Sequence, residues 1–135
     1  MERVAELDIS AVIHVAEFRA ALRSFLRESE RIARANGLTP QRLLLLLMIK
    51  GAPDGSERAT IGELAGRLKL AQSTVTELVK RAEAVGLLEK EQSRADGRVA
   101  HVSLTAEGEQ RLARAFTSHA VEREQLRKAF AELDR

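Results

Sequence analysis

The chain has 135 residues, with 22 basic and 20 acidic side chains, a net charge of +2 at pH 7, and no cysteine. This length is typical of one domain, and the lack of cysteine excludes disulfide bonds, cysteine-based zinc sites and redox-active thiols. Aromatic residues make up only 3% of the chain, which argues against an open stacking surface for single-stranded nucleic acid.

The first ten residues contain three acidic residues and one arginine, without the apolar run of a secretion signal. The longest apolar run, residues 43–49, is far shorter than the ~18 residues of a membrane-spanning helix. We therefore expect a cytoplasmic protein with no membrane partner.

Apolar residues recur at helical spacing from residue 9 to residue 35, and Asn36-Gly37 supplies a left-handed cap that ends this helix. Thr39 and Pro40 are the residue types of an N-cap and a first helical position, so a second helix begins there. Residues 43–49 make this helix apolar on every side. We expect such a helix to be buried all round, either at the centre of the domain or under a partner.

Residues 51–57 have the composition of a loop. Thr60 and Glu63 form the pattern of a capping box, which begins a short helix that ends near Leu68. A second helix is predicted from about Gln72 to Val85, before Gly86. The apolar faces of the two helices are expected to pack together, and they comprise Ile61, Leu64, Ala65 and Leu68 in the first and Val75, Leu78, Val79, Ala82 and Val85 in the second.

Residues 87–92 and 99–104 flank an Asp-Gly turn within residues 93–98, which predicts a β-hairpin. Thr105 then caps a final helical region that reaches Arg135. The predicted fold class is mainly α (α+β): a winged helix-turn-helix with a small two- or three-stranded wing and terminal dimerisation helices. We expect residues 1–36 and 105–135 to be dimerisation helices, because Ile9, Val12, Phe116, Leu126 and Phe130 need a partner to cover them. Residues 37–104 are expected to form the winged helix-turn-helix DNA-binding lobe of one continuous domain.

Two short helices, a tight turn and a hairpin form the order of a winged DNA-binding module, and its second helix presents a polar outer face. Small hydroxyls enter a major groove without clash, while basic side chains follow the phosphates or reach guanine. At the hairpin tip, Arg94 and Arg98 suit a narrow minor groove, and Asp96 is expected to orient Arg98 through a charge-assisted pair. The candidate DNA contacts are Ser73, Thr74, Thr76, Lys80, Arg81, Arg94 and Arg98.

Residues 38–112 resemble the core of the MarR family of transcriptional regulators. The resemblance is carried by Leu38-Thr39-Pro40-Gln41, by Ile61-Gly62-Glu63-Leu64-Ala65 with Ser73-Thr74-Val75-Thr76-Glu77-Leu78-Val79, by Gly86-Leu87-Leu88, and by Asp96-Gly97-Arg98 with Leu104-Thr105-Ala106-Glu107-Gly108. It implies a homodimer that binds pseudo-palindromic duplex DNA, commonly as a repressor that a small ligand releases.

Two residues depart from the pattern of this family. Lys90 stands where an arginine is common, and Glu77 stands where a basic residue is frequent. Glu77 has two interpretations: it accepts a hydrogen bond from a cytosine amino group, or it pairs with Arg81 one helical turn later.

The histidines, at positions 14, 101 and 119, lack the spacing of a helix-borne metal site, so no metal site is predicted. His14 and His119 fall in the two terminal helical regions, where together they would line a crevice at a dimer interface. Phe18 and Phe25 are either packing residues or ligand contacts. His14, Phe18, Phe25 and His119 are therefore the candidate site for a small aromatic or amphipathic effector.

The sequence has no glycine-rich phosphate loop and no G-x-S-x-G motif, so we expect neither an enzyme nor a cofactor. Its carboxylates mostly have a basic residue one turn away, as in Glu30 with Arg34, Glu107 with Arg111 and Glu124 with Lys128. Such spacing is typical of ion pairs on helix surfaces.

These features favour a ligand-responsive repressor that binds an inverted-repeat operator as a homodimer. A ligand between the dimerisation helices and the DNA-binding lobe would change the spacing of the two recognition helices, provided that it favours one spacing over the other. Two alternatives stay open: a constitutive DNA-binding regulator without an effector, and a winged-helix module that binds proteins and not DNA.

Overall fold

The computed structural model describes residues 5–92 and 99–134. The chain forms six helices and three short strands in these residues. They are α1 (Ile9–Ala35), α2 (Pro40–Lys50), β1 (Arg58–Ala59), α3 (Ile61–Leu68), α4 (Gln72–Ala84), β2 (Leu88–Gln92), β3 (Ala100–Leu104), α5 (Ala106–Ser118) and α6 (Ala120–Ala131), with a 3-10 turn at Glu132–Asp134. This mainly helical architecture with a small antiparallel sheet confirms the predicted fold class.

Short-range capping bonds set the helix starts that the sequence predicts. The Thr39 hydroxyl accepts a hydrogen bond from the Arg42 amide at 3.1 Å, with Pro40 as the first residue of α2. At α3, Thr60 and Glu63 bond each other's backbone amides at 3.1 and 3.0 Å. This reciprocal pair confirms the capping box, which satisfies two amides that have no partner within the helix.

The sheet has the strand order β1-β3-β2, and both pairings are antiparallel. Leu88 pairs with Leu104 and Gln92 with Ala100, so β2 and β3 form the predicted hairpin up to its turn. The predicted turn, residues 93–98, lies outside the described residues. Strand β1 has only two residues, too few to show an alternating pattern, and the sequence therefore did not distinguish it from the preceding loop.

The core lies inside the lobe that α2, α3, α4 and the sheet enclose, with α1 and α5 closing it. The largest side chains with less than 2% exposure are Ile32, Leu45, Leu46, Ile49, Leu64, Leu87, Val75, Val79 and Val102. All of them are aliphatic, so the hydrophobic effect is the main force that holds the lobe together.

Two expectations about burial are not met within the chain. Helix α2 is not buried all round at the centre of the domain, because Leu44 and Leu47 are 43% and 41% exposed, and burial of this side under a partner stays a prediction. Val85 is 50% exposed and does not join the packed face of α4. The helix ends at Ala84, and the chain turns at Gly86 with φ of +79°, so Val85 leaves the helical spacing that would bury it.

The C-terminal helical region divides at His119, which lies between α5 and α6. Helix α6 turns back and packs along α1, where the rings of Phe18 and Phe130 meet edge to face with centroids 6.0 Å apart. Within residues 5–92 and 99–134, no helix combines the length and the apolarity needed to span a bilayer.

Ion pairs connect neighbouring elements on the surface of the lobe. Lys50 of α2 bonds Glu109 of α5 at 2.6 Å and contacts Glu57 at 3.2 Å, and these hydrogen bonds raise the pKa of Lys50. Glu107 pairs with Arg111 at 2.8 Å as predicted. Glu124 pairs instead with Arg127, at 2.6 Å, and not with Lys128, because Arg127 offers two donor groups to that carboxylate.

Helix α5 begins in close contact with the segment that follows α4. The Thr105 hydroxyl donates to the Gly86 carbonyl oxygen at 2.6 Å, and the Thr105 amide donates to the Leu87 carbonyl oxygen at 3.0 Å. A side chain at Gly108 would collide with that Leu87 oxygen. Only glycine at position 108 therefore lets α5 approach the segment after α4 this closely.

We predict that Gly108→Ala destabilises the protein by about 2–3 kcal/mol, because the added methyl group must displace backbone atoms in a packed region. The melting temperature, measured at fixed protein concentration, should fall by roughly 10 °C. Gly66→Ala is the matched control, since Gly66 lies in α3 with open space around its Cβ position. That variant should gain up to about 1 kcal/mol from helix propensity, and equal stability of the two variants would contradict the packing argument.

Candidate nucleic-acid interface

Helix α4 is held on one face and open on the other. Val75, Val79 and Ala82 are completely buried, against a core that also contains Leu64 of α3. Ser73, Thr74, Lys80 and Arg81 are exposed on the opposite side, and Thr76 is half-buried at its edge. The structure thus brings the five predicted contacts of α4 onto one continuous surface.

The turn between α3 and α4 sets the angle of this surface. Lys69 ends α3 in the left-handed conformation, with φ of +58°, and the Leu70 amide donates to the Ala65 carbonyl oxygen at 3.2 Å. Ala71 then precedes α4 without a side-chain cap. The first amides of α4 are therefore not bonded by a capping side chain, and a helix start of this kind attracts anions such as phosphate. The alanine at position 71 is the signal in the sequence that could have indicated this.

Two ion pairs modify the charges of the polar face. Glu77 Oε1 lies 3.3 Å from Arg81 Nε, so in the structure without DNA the carboxylate pairs with Arg81 one turn later. Glu83 Oε1 lies 3.5 Å from Lys90 Nζ and links the last turn of α4 to β2. Both acidic residues near the polar face are thus engaged with basic residues, whereas Lys80 takes part in neither pair.

The described part of the hairpin is the pairing of β2 with β3. The paired residues Leu88 and Leu104 lie nearest in the chain to the end of α4, and Gln92 with Ala100 is the last described pair. The predicted tip contacts Arg94 and Arg98, and the orienting residue Asp96, lie outside the described residues.

Within one chain, the four candidate effector contacts lie at separate places, and a crevice that they would share across a dimer interface stays a prediction. Phe18 packs on Phe130, and His14 lines a cleft between α1 and α6 together with Gln125 and Lys128. Phe25 and His119 meet elsewhere, at the junction of the terminal helices and the lobe. The reason is the return of α6 along α1, which places the two histidines at different levels of the helix pair.

Phe25 and His119 line an apolar cavity of about 370 Å³. The imidazole of His119 is 7% exposed and stacks on the Phe25 ring with centroids 4.1 Å apart. Its Nε2 lies 3.0 Å from the Phe25 carbonyl oxygen. A carbonyl oxygen can only accept a hydrogen bond, so Nε2 carries the proton and donates.

Other residues of this cavity were not singled out from the sequence. The exposed leucines of α2 line it, which explains why that helix is apolar all round without being buried all round. Arg123 lies over the Phe116 ring at 3.8 Å from its centroid and donates to the Phe116 carbonyl oxygen at 3.0 Å. The additional lining residues include Leu44, Leu47, Leu112, Phe116 and Arg123. Their spacing in the sequence is that of ordinary helix faces, and only the meeting of α1, α2, α5 and α6 makes them one site.

Among residues 5–92 and 99–134, no group of three histidine or acidic side chains is placed to hold a metal ion. The polar face of α4, the helix-turn-helix that carries it and the adjoining three-stranded sheet define a winged helix-turn-helix protein.

Comparison with known proteins identifies the family. A sequence model of the MarR family matches residues 36–99. The chain is 33% identical over 100 residues to YsmB of Bacillus subtilis, described as an uncharacterised HTH-type transcriptional regulator. That match covers 71% of this chain and 66% of YsmB, so the chain spans just under two thirds of the length of this relative.

Two solved structures agree with this match. The transcriptional regulator Tm0710 from Thermotoga maritima is 30% identical with a TM-score of 0.64, over 80% of this chain and 73% of its own. The M. tuberculosis regulator MOSR, solved in complex with DNA, is 28% identical with a TM-score of 0.57, over 73% of this chain and 68% of its own. The chain belongs to the MarR family of transcriptional regulators.

Proposed function

We propose that this protein is a cytoplasmic regulator that binds duplex DNA sequence-specifically, with α4 in the major groove. The observation that carries the proposal is the row of exposed hydroxyl and basic side chains on α4, backed by a fully buried aliphatic face. A helix held in this way presents its outer side chains without losing contact with the lobe. The related MOSR structure contains DNA, which supports the same partner here.

Each polar group has an expected role in the complex. Ser73, Thr74 and Thr76 lie in the first half of α4 and donate to phosphates or base edges, while Lys80 contacts the phosphate backbone. Arg94 and Arg98 enter the adjacent minor groove, and Asp96 orients Arg98. The uncapped start of α4 adds backbone amides that attract a phosphate.

Among the predictions of the proposed function, the first concerns DNA binding itself. Selection from a random duplex pool should return an inverted repeat with half-sites about one helical turn apart. On that operator, Lys80→Ala should weaken specific and random binding alike and reduce the slope of log K against log salt by about 0.9, the value for one phosphate contact. Arg114→Ala removes one positive charge from the exposed side of α5, outside α4 and the proposed dimer contacts, and should leave the slope unchanged. A pool that returns no sequence would overturn the proposal.

We further propose a homodimer that forms through the first half of α1 and through α6. Ile9, Val12 and Ile13 are 65%, 42% and 52% exposed, and adjacent exposed apolar side chains on one helix face are typical of an interface. The positions five turns later on the same helix face are the exposed residues Arg27, Glu30 and Arg31. The apolar part of this face therefore ends within α1, which confines the contact to its first half. On α6, Val121 and Phe130 are 65% and 61% exposed.

The second prediction tests this interface with two exposed valines. Val12→Glu should convert a species of twice the 14.9 kDa chain mass into a monomer at micromolar concentration, because two carboxylates would meet across a two-fold axis. Val85→Glu makes the same chemical change at a valine that is 50% exposed in the lobe, and this variant should stay dimeric. Sedimentation or size exclusion with light scattering measures both. A monomeric parent protein would refute the dimer.

We propose in addition that the protein is a repressor that a small aromatic or amphipathic effector releases from DNA. The cavity of Phe25 and His119 supports this, because it lies where α1, α5 and α6 meet α2 of the lobe. Its volume of about 370 Å³ is within the range of small-molecule sites. An effector acts only if it binds one spacing of the recognition helices more tightly than the other.

The third prediction concerns this cavity. A thermal-shift panel of aromatic carboxylic acids should contain compounds that stabilise the protein, by about 2.7 kcal/mol at 100 times Kd. Leu44→Trp should fill the mouth of the cavity and remove the shift. Leu70→Trp, at a leucine that is 38% exposed outside the cavity, should retain it. Stabilisation that survives Leu44→Trp would place the ligand elsewhere, and a panel without any shift would favour the constitutive regulator.

A further inference from the structure

The polar face of α4 carries the acidic residue Glu77, which pairs with Arg81 of the same helix. We propose that Glu77 is a positioning residue that holds the Arg81 guanidinium toward the N-terminal half of α4, so that Arg81 reads a guanine base instead of contacting a phosphate. The inference rests on the proposed binding of DNA by α4.

The geometry of the pair gives Arg81 a direction. Side chains on a helix lean toward its N-terminus, over the preceding turn. The contact of Arg81 Nε with Glu77 Oε1 at 3.3 Å holds the guanidinium in that orientation. In a helix-turn-helix the N-terminal half of the recognition helix meets the base edges, whereas later residues reach the backbone. Arg81 lies near the C-terminal end of α4, so without Glu77 its expected contact is a phosphate.

The nitrogen through which Arg81 contacts Glu77 also suits a residue that reads a base. The contact engages Nε and leaves Nη1 and Nη2 outside the pair. Arginine donates two parallel hydrogen bonds to O6 and N7 of guanine. A guanidinium fixed through Nε loses less conformational freedom when it makes such a bidentate contact.

Two other charged residues of α4, Lys80 and Glu83, do not take the place of Arg81 or Glu77 in this pair. Glu83, the next carboxylate along α4, contacts Lys90 of β2 at 3.5 Å and is thereby directed toward the wing strand. Lys80 also lies on the exposed side of α4, but the carboxylate of Glu77 contacts Arg81.

A carboxylate on a DNA-binding face has a cost that requires a compensating role. Each phosphate repels it, and it opposes the counterion release that drives non-specific binding. In the groove, where water is displaced, an unpaired carboxylate would be strongly unfavourable. Pairing with Arg81 lowers that penalty, and the cost to non-specific binding remains. Glu77 is therefore expected to raise the ratio of specific to random binding, and not the overall affinity.

Four variants test the inference on the operator that the parent protein selects from a random duplex pool. They are Glu77→Gln, Arg81→Ala, the double variant, and Glu89→Gln, which removes a carboxylate from β2 outside the recognition helix. Dissociation constants are measured for the operator, for operators changed at single base pairs, and for a random duplex, each as a function of salt. The base preferences and the salt slopes together separate a positioning role from a simple change in charge.

We expect Glu77→Gln and Arg81→Ala to lower the preference for guanine at the same base pair by about tenfold, with no further loss in the double variant. Glu77→Gln should also bind the random duplex more tightly, with a slope steeper by about 0.9 because Arg81 now contacts a phosphate. Glu89→Gln should keep the parent base preferences.

Two results would overturn the inference. One is a Glu77→Gln variant that keeps the full preference for guanine. The other is a change of base preference by Glu77→Gln in the Arg81→Ala background, which would mean that Glu77 itself contacts a base. A parent protein that selects no sequence would instead overturn the proposed DNA binding, so the two failures are distinguishable.

Discussion

The close packing of α5 on the segment that follows α4 is the constraint on which the rest of the structure depends. Thr105 bonds the backbone of Gly86 and Leu87, and Gly108 has no side chain to hold α5 away. These contacts therefore join the end of α4, the start of β2 and the start of α5, the helix that leads to α6. A change in the packing of α5 on this segment would therefore shift both the polar face of α4 and the terminal helices.

Helix α2 serves two surfaces at once, and this explains its unusual composition. Leu45, Leu46 and Ile49 belong to the lobe core, while Leu44 and Leu47 line the cavity beside Phe25 and His119. An apolar helix that is only partly covered is costly unless another surface uses its open side. The same helix thus connects the packing of the DNA-binding lobe with the proposed effector site, and it offers a direct physical route by which the occupancy of the cavity would affect the position of the lobe.

The distribution of charge matters more for the proposed function than its sum. A net charge of +2 gives little long-range attraction to DNA, and the pairs Glu77–Arg81 and Glu83–Lys90 reduce the free positive charge beside the groove further. For the proposed binding of DNA we therefore expect a modest non-specific affinity. For a protein that must find one site among many, this favours discrimination over tight binding at random positions.

The elements of this protein follow from signals that act over three or four residues. Thr39 with Pro40 and Thr60 with Glu63 set helix starts because capping bonds join near neighbours, and the order of helices and strands then indicates the family. Contacts between distant residues carry no such signal. His119 meets Phe25, which is 94 residues away, and Leu44 and Leu47 stay exposed because the other elements cover α2 on one side only. The cavity and the separation of His14 from His119 arise only when α6 returns along α1, since local spacing contains no information about which helices become neighbours.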